Sequence, residues 1–280
     1  MVLEPTTDPH PMPPDGLRHL DLSNADYHAH PAVSKSHLDK VARSPAHYWA
    51  SYLDPERVPQ EPTQAMILGT ALHTAVLEPE LWDQQFAVPP QAFDRRTKAG
   101  KELAQAFEQE AAGKLVLSPD DADRIRRMAD AVHQHPASRF LLDLPGLREA
   151  SYFWTDEETG VECKCRPDWH STDRRLVVDV KTTEDASPKG FQKSVASWRY
   201  HVQAAWYQRP LGAEQFLFIC VEKTSPFCVA VYAVTPAMFA AGARAADRDL
   251  ALLAECRKTG QWPGYSNQIQ PIDLPTWCND

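Results

Sequence analysis

The sequence lacks the features that would assign the protein to a membrane or to secretion. None of its apolar runs approaches the ~18 residues that a membrane-spanning helix needs, so we expect no membrane span. The N-terminus has no basic stretch followed by an apolar one, which argues against a secretory signal. Five prolines among the first fourteen residues instead predict a disordered or extended leader over residues 1–16. These absences together predict a cytoplasmic protein.

Cysteine is also scarce. Six cysteines in 280 residues are too few and too scattered for a disulfide framework. Cys163 and Cys165 are separated by one residue, and the sequence has no CxxC pair. A zinc or iron–sulfur site is therefore weakly supported, and we expect buried or inert thiols.

An excess of positive charge is missing as well. The chain has 29 Lys and Arg against 38 Asp and Glu, and its net charge of −9 counts against a general nucleic-acid coat protein. A nuclease stays compatible with this charge, because it needs only a local positive track and acidic residues that hold cations. The content of 43% hydrophobic and 24% charged residues is ordinary for a soluble globular protein.

Hydrophobic periodicity predicts an α/β fold, with a helical N-terminal half and a central mixed β-sheet flanked by helices. We predict one domain over residues 17–280, with a helical part 17–145, a sheet-bearing core 146–260 and a tail 261–280. The predicted helices start at Ser34 or Ser36, pass through Tyr48 and Tyr52, and cover 64–78, part of 93–112, 119–135 and 235–258. The predicted strands cover 147–156, 161–169, 174–183, 215–222 and 227–235, and the helix after the third strand carries Phe191, Val195, Trp198, Val202 and Trp206 at helical spacing.

Three charged residues lie where apolar ones are expected. Asp168 closes the second predicted strand, and Asp179 and Lys181 point to the same face of the third. If these strands pair antiparallel, Asp168 lies next to Asp179, and the two carboxylates repel unless a cation lies between them. Oxygen ligands that need positive charge point to Mg²⁺ or Mn²⁺. The alternative, a solvated ion pair, is disfavoured by the apolar neighbours 176–178, because buried charges are costly without partners.

Two other features could contribute to such a site. His73 projects from the same helix face as Gly69 and Val76, although from the residues alone a satisfied core histidine is the simpler interpretation. A basic cluster at the start of the polar helix is the best candidate track for phosphates, with a solvated helix start as the alternative. Its members are Arg95, Arg96, Lys98 and Lys101.

A family resemblance rests on seven sequence blocks that occur in order. Pro167-Asp168, ten intervening residues and Asp179-Val180-Lys181 fit the PD-(D/E)XK nuclease signature, which is loose on its own. The chain further resembles the exonuclease VIII-type recombination nucleases, related to the RecB nuclease domain, over most of its length. The blocks are SKSHL (34–38), GTALHTAVLEPE (69–80), FDRRTKAGK (93–101), CRPDW (165–169), DVKTTEDAS (179–187), YHVQAAWY (200–207) and WPGY (262–265).

The resemblance implies a PD-(D/E)XK, or restriction-endonuclease-like, core and a role for each matching residue. The implied metal ligands are His73, Asp168, Asp179 and the carbonyl of Val180. Lys181 would act on the attacking water.

Further residues follow from the same resemblance. Gln203 and Tyr207, four apart on one helix face, match the QxxxY motif and would help to position the active site and the DNA strand. Ser34 and Ser36 could donate hydrogen bonds to a terminal phosphate, although a plain N-cap explains either serine equally well. Glu149 is an additional candidate for the metal site.

The activity that the resemblance implies is a Mg²⁺-dependent DNA exonuclease. It would digest linear duplex 5′→3′ and leave 3′ overhangs for homologous recombination or repair, as a ring-shaped homo-oligomer on DNA ends. A phage or prophage context with a single-strand annealing protein as partner fits this activity. The alternatives are an endonuclease or structure-specific nuclease on the same core, a non-catalytic DNA-end-binding scaffold, and an iron–sulfur nuclease, which the cysteine spacing disfavours.

Overall fold

Short polar residues followed by proline mark the starts of four helices. The side chains of Ser44, Ser118, Ser187 and Thr235 each accept a hydrogen bond from the backbone N–H three residues on, and proline follows each cap. These caps fix where the helices begin. The computed structural model describes residues 16–58, 61–91, 93–94 and 96–274, so the predicted leader lies outside it except for Gly16.

Helices dominate the first half of the described chain, and most of the strands lie in the second half. The helices are α1 (Asn24–Ala29), α2 (Lys35–Arg43), α3 (Pro45–Tyr52), α4 (Gln64–Leu77), α5 (Trp82–Gln85), α6 (Lys98–Glu110), α7 (Pro119–Gln134), α8 (Pro136–Leu142), α9 (Pro188–Ser197), α10 (Tyr200–Leu211) and α11 (Pro236–Thr259). The strands are β1 (Arg18–Leu20), β2 (Phe86–Ala87), β3 (Leu115–Val116), β4 (Gly146–Arg148), β5 (Ser151–Thr155), β6 (Glu162–Cys165), β7 (Trp169–Ser171), β8 (Leu176–Thr183), β9 (Gln215–Glu222) and β10 (Val229–Ala233).

The central sheet has five strands in the order β10-β9-β8-β7-β4. β8 and β9 run parallel and are joined by α9 and α10, whereas the other neighbours pair antiparallel. The predicted mixed sheet flanked by helices is therefore confirmed. A second sheet has the order β1-β5-β6, and β2 and β3 form a short parallel pair.

Alternate residues of the central strands supply two hydrophobic cores, one on each face of the sheet. Phe216, Phe218 and Cys220 of β9 belong to the core that includes residues of α2, α10 and α11. Leu217 and Ile219 belong to the core with α4 and α7. Burial on both faces explains why these strands read as continuous apolar runs.

The first two predicted strands are each broken in two. β4 and β5 are separated at Glu149, whose backbone is left-handed with a φ of 48°. β6 and β7 are separated at residues 166–168. Because β5 pairs with β6 and β4 pairs with β7, the hairpin passes from the smaller sheet into the central one. The prediction of continuous strands is wrong, since apolar alternation carries on through this corner.

The helix predicted after β8 is two helices, separated by Trp198 and Arg199. Arg199 has a left-handed backbone with a φ of 54°. Its guanidinium binds Asp39 at 3.0 Å and also pairs with Asp249. Trp198, predicted on the buried stripe, is 65% exposed. The prediction of one helix is wrong. The helical spacing of apolar residues continues through Trp198 and Arg199, but the contacts of Arg199 with α2 and α11 stabilise a break there.

Two buried cations attach the N-terminal segment to the smaller sheet. The Lys164 ammonium donates to the carbonyls of Tyr27 (2.5 Å) and His30 (2.7 Å). The Arg166 guanidinium donates to the Leu22 carbonyl at 2.6 Å. Both side chains are almost entirely shielded from solvent, so their charges depend on these backbone acceptors.

Candidate metal centre and active site

The corner of the hairpin places Asp168 against β8. β7 and β8 pair antiparallel in the register Trp169↔Val178, so Asp168 lies one position beyond that pair, opposite Asp179. The Asp168 Oδ2 accepts a hydrogen bond from the Val180 N–H at 2.7 Å, which orients the buried carboxylate. The antiparallel pairing on which the sequence argument depended is present.

Helix α4 delivers the His73 imidazole to the same corner. Its Nε2 lies 2.9 Å from the carbonyl oxygen of Val180 and 3.5 Å from the Asp168 Oδ2. These contacts join residues that are 107 positions apart in the sequence. The sequence pattern also predicts Met66 on this apolar helix face, and that part is wrong, because Met66 is 59% exposed whereas Val76 is buried.

Glu149 reaches the site from the break between β4 and β5. Its N–H donates to the Asp168 carbonyl at 3.1 Å, and its Oε1 lies 3.9 Å from the His73 Nδ1. One ligand atom from each of His73, Glu149 and Asp168 lies within 4.8 Å of the others. Among the described residues, this is the group of ligand side chains with the spacing to hold a metal ion.

Asp179 and Lys181 form the second part of the site. The Asp179 side chain has no solvent exposure, and its Oδ2 accepts a hydrogen bond from the Gln203 Nε2 at 2.6 Å. Its Oδ1 pairs with the Lys181 ammonium but has no regular hydrogen bond from the described residues. That ammonium also lies 4.9 Å from the centre of the Tyr200 ring, a cation–π distance. Lys181 is therefore held in one position by a carboxylate and a ring.

The charges of the site shift one another's titration. Burial raises the pKa of Asp168, and burial together with the Asp168 charge raises the pKa of Asp179 to about 6. Burial lowers the pKa of His73, but the carboxylates of Asp168 and Glu149 outweigh it and raise that pKa to about 9. Burial likewise opposes the charged form of Lys181, yet Asp179 and Asp168 raise its pKa above the ordinary range. The carboxylates of this site thus favour the charged forms of His73 and Lys181.

The donor set fits a divalent cation. The Glu149 and Asp168 carboxylates, the His73 imidazole and the Val180 carbonyl converge at one corner, and carboxylate and carbonyl oxygens suit Mg²⁺ and Mn²⁺. Asp179 lies opposite Asp168 in the strand register, and its buried Oδ1 is paired with the Lys181 ammonium. His73, Glu149, Asp168, Asp179 and the Val180 carbonyl would hold such an ion.

The family that matches the sequence agrees with this geometry. It is described as a "PDDEXK-like domain of unknown function (DUF3799)", and its match covers residues 34–275. The chain belongs to this family. The expected membership of the PD-(D/E)XK superfamily is therefore confirmed, and a PDDEXK-like domain supports nuclease activity. None of the curated proteins matches the sequence significantly.

A solved structure supports the fold of this PDDEXK-like chain. The crystal structure of a protein described as a "Putative exonuclease" from Eubacterium rectale is similar, with a TM-score of 0.58 and 14% identity. The match covers 91% of this chain and 97% of that protein. A second structure, of a protein called SSO0001, matches with a TM-score of 0.31 and 18% identity, over 68% of this chain and 88% of that one. The first structure supports the same fold, whereas the second is too dissimilar to support a conclusion on fold.

The remaining residues predicted for the PDDEXK-like site lie around this centre or apart from it. Tyr207 is half-buried one turn beyond Gln203 and packs against the core that contains Phe216. Ser34 caps α2, and its Oγ lies 2.7 Å from the His37 Nδ1 and 2.9 Å from the Ser36 Oγ. The helix-cap interpretation therefore accounts for Ser34 by itself.

The basic cluster lies at the solvent-facing start of α6. Arg96 is 90% exposed and its Nε donates to Asp94 at 2.9 Å, while Lys98 is 92% exposed. Lys101 is also exposed, and Arg95 lies outside the described residues. Their role in binding phosphates stays a prediction.

Tyr200 and Lys35 received no role from the sequence, although both lie beside the site. Tyr200 stands three residues before Gln203, so it shares a helix face with a residue that contacts Asp179. The Lys35 ammonium lies 6.0 Å from the centre of the Tyr200 ring. The helical spacing could have identified Tyr200, whereas Lys35 comes from a distant segment and carries no local signal.

Two exclusions hold for the part of the chain that the structure describes. Cys163, Cys165, Cys220 and Cys256 are buried, Cys228 is exposed, and no cysteine among them joins a group of metal-ligand spacing. The iron–sulfur alternative therefore gains no support. None of the described helices combines the length and the apolar character needed to cross a membrane.

Proposed function

We propose that the protein is a divalent-metal-dependent DNA exonuclease, using Mg²⁺ or Mn²⁺, that digests linear duplex 5′→3′ and leaves a 3′ single strand. The observation that carries this proposal is the convergence of His73, Glu149 and Asp168 beside the buried Asp179–Lys181 pair on a PDDEXK-like fold. The exonuclease polarity is taken from the resemblance in the sequence blocks. The Eubacterium rectale neighbour is described as a "Putative exonuclease", which supports exonuclease activity but specifies no polarity.

The residues of this chain divide the work of phosphodiester hydrolysis. A divalent cation, when bound, supplies positive charge that stabilises the attacked phosphate and the leaving 3′ oxygen. Lys181 stays charged because its pKa is raised, so it donates a hydrogen bond to the attacking water or to a phosphate oxygen. Gln203 and Tyr200 hold Asp179 and Lys181 in register with each other. This arrangement favours a nuclease over a scaffold that binds DNA ends without turnover.

The decisive experiment uses linear duplex DNA labelled at either the 5′ or the 3′ end, incubated with and without Mg²⁺. We expect early release of mononucleotides from the 5′-labelled strand end and retention of the 3′ label, both only with the cation. Release from the 3′ end first would contradict the polarity. Equal degradation of covalently closed circles would favour an endonuclease, and binding of duplex ends without released nucleotides would favour the scaffold.

We also propose duplex DNA ends as the substrate for a homo-oligomeric ring, with a single-strand annealing protein as partner in recombination. A mass measurement with and without a tailed duplex tests the ring. A monomer that digests DNA processively would refute it.

A further inference from the structure

The turn between α9 and α10 holds an exposed indole beside the active site. Trp198 is 65% exposed, and its carbonyl accepts a hydrogen bond from the Lys35 ammonium at 2.7 Å. The same ammonium lies 6.0 Å from the Tyr200 ring centre, and the Lys181 ammonium lies 4.9 Å from it. Tyr200 thus lies between two cations, one belonging to the proposed catalytic site and the other bound to the Trp198 main chain.

Ion pairs hold this turn in a backbone conformation that is unfavourable in free energy. Arg199 occupies a left-handed backbone conformation, which costs a residue other than glycine free energy. Its guanidinium offsets that cost by binding Asp39 and Asp249 and by donating to the Leu38 carbonyl at 3.3 Å. The contacts come from α2 and α11, so the main chain that carries Trp198 is fixed from two sides. Because the main chain is already ordered, a ligand that stacks on the ring pays less to order this turn.

The Lys35 ammonium supplies positive charge at the Trp198 main chain, where it also pairs with Asp39 and its side chain is 13% exposed. The Lys35 ammonium has three donors, of which the Trp198 carbonyl and the Asp39 carboxylate (2.7 Å) take two. Single exposed apolar side chains are common and need no explanation by themselves. Here the exposed ring, the cation and the strained turn coincide next to the site, and stacking aromatics with cations are what a single nucleic-acid strand requires.

We infer that Trp198 is a stacking platform for one unpaired base of the DNA strand, and that Lys35 holds a phosphate next to that base. The inference rests on the proposed nuclease function and specifies how the strand is held. The Lys35 and Lys181 ammonium groups lie 6.0 and 4.9 Å from the centre of the same Tyr200 ring, so the platform is close to the phosphodiester that Lys181 would contact. Any base can stack on an aromatic ring, so this platform should require a base but should not distinguish one base from another.

The test measures binding of a duplex with a short unpaired end, in Ca²⁺ to limit turnover, and replaces one nucleotide at a time by an abasic one. The wild type is expected to lose about tenfold or more in affinity at one abasic position. Trp198→Ala should bind the intact strand more weakly and lose the sensitivity to that abasic position, while Trp198→Phe should restore part of it. Lys35→Gln should weaken intact and abasic strands equally. Phe140→Ala removes a ring that is also 65% exposed, on α8, and should behave as the wild type.

The outcomes separate this inference from the proposed function. If the wild type digests linear DNA in Mg²⁺ but Trp198→Ala keeps the full abasic penalty, the platform is refuted and the nuclease stands. If the abasic penalty is absent in the wild type, the platform is refuted in the same way. If the wild type neither binds nor digests DNA, the proposed function fails first, and the platform fails with it.

Discussion

The replacement His73→Gln tests whether the imidazole is held as a cation between two carboxylates. The difference between its pKa of about 9 and the ordinary 6.5 corresponds to about 3 kcal/mol, because one pKa unit is worth about 1.4 kcal/mol. Since the folded-state pKa is raised, this stabilisation is fully present below pH 6.5 and is lost as the pH rises through 9. In EDTA, the free energy of unfolding of the wild type should therefore fall by about 3 kcal/mol between pH 6.5 and pH 9 because of His73.

The assay is urea unfolding in EDTA at several pH values between 6.5 and 9.5, with both proteins. The readout is the difference in free energy of unfolding between wild type and variant. Other groups also titrate in this range: burial, followed by the charge of Arg166, lowers the pKa of Lys164 to about 8, which adds stability as the pH rises beyond 8. Lys164 is present in both proteins, so its contribution cancels in the difference.

Adding Mn²⁺ or Mg²⁺ extends the same experiment. A histidine ligand must be neutral, so binding of the cation displaces the proton of His73 below pH 9. The stabilisation by the ion should therefore grow with pH up to about 9 in the wild type and grow less in His73→Gln. A wild-type-minus-variant difference that does not change with pH in EDTA would refute the reasoning, because it would mean a neutral imidazole throughout.

Three further predictions concern the rest of the site and the basic cluster. Asp179→Ala and Lys181→Ala should each fold and lower turnover on linear duplex by at least ~10²-fold; circular dichroism checks the fold, and wild-type rates in either variant would count against the assignment. Gln203→Leu removes the amide bonded to a buried carboxylate and should lower the free energy of unfolding by about 2 kcal/mol, measured by urea; an unchanged midpoint would disprove this. Lys98→Ala should reduce the slope of log affinity against log salt by about 1, whereas the exposed Lys258→Ala on α11 should not; equal slopes would remove Lys98 from the DNA track.

The order of elements and the pairing of the acids could be predicted from the sequence, whereas the corner could not. The predicted bounds of strand β9 and helix α4 agree with the structure to within one residue. An apolar run marks the strand, and a proline just after the helix marks its end. The antiparallel neighbours Asp168 and Asp179 followed from the alternation of one hairpin. The left-handed Glu149 did not, since its apolar flanks alternate without a gap and nothing local shows that the hairpin changes sheets.

The turn at Trp198 failed for a related reason. The 3.6-residue spacing runs on from α9 into α10, so the pattern places Trp198 with its buried neighbours. The actual conformation is decided by Arg199, whose partners Asp39 and Asp249 are 160 and 50 positions away. Local periodicity reports which residues could share a face, and long-range ion pairs decide whether the helix continues.

The carbonyls that accept hydrogen bonds from Lys164 and Arg166 limit how far the N-terminus of this chain can be truncated. The family match begins at Ser34, yet the acceptors on Leu22, Tyr27 and His30 lie upstream of it. A chain shortened to the family boundary would remove both carbonyls to which Lys164 donates, and it would leave Arg166, two residues before Asp168, with the Ser151 hydroxyl as its acceptor. We therefore expect a stable fragment to begin before Ser34, and stability lost on trimming would trace to these contacts rather than to a missing metal ligand.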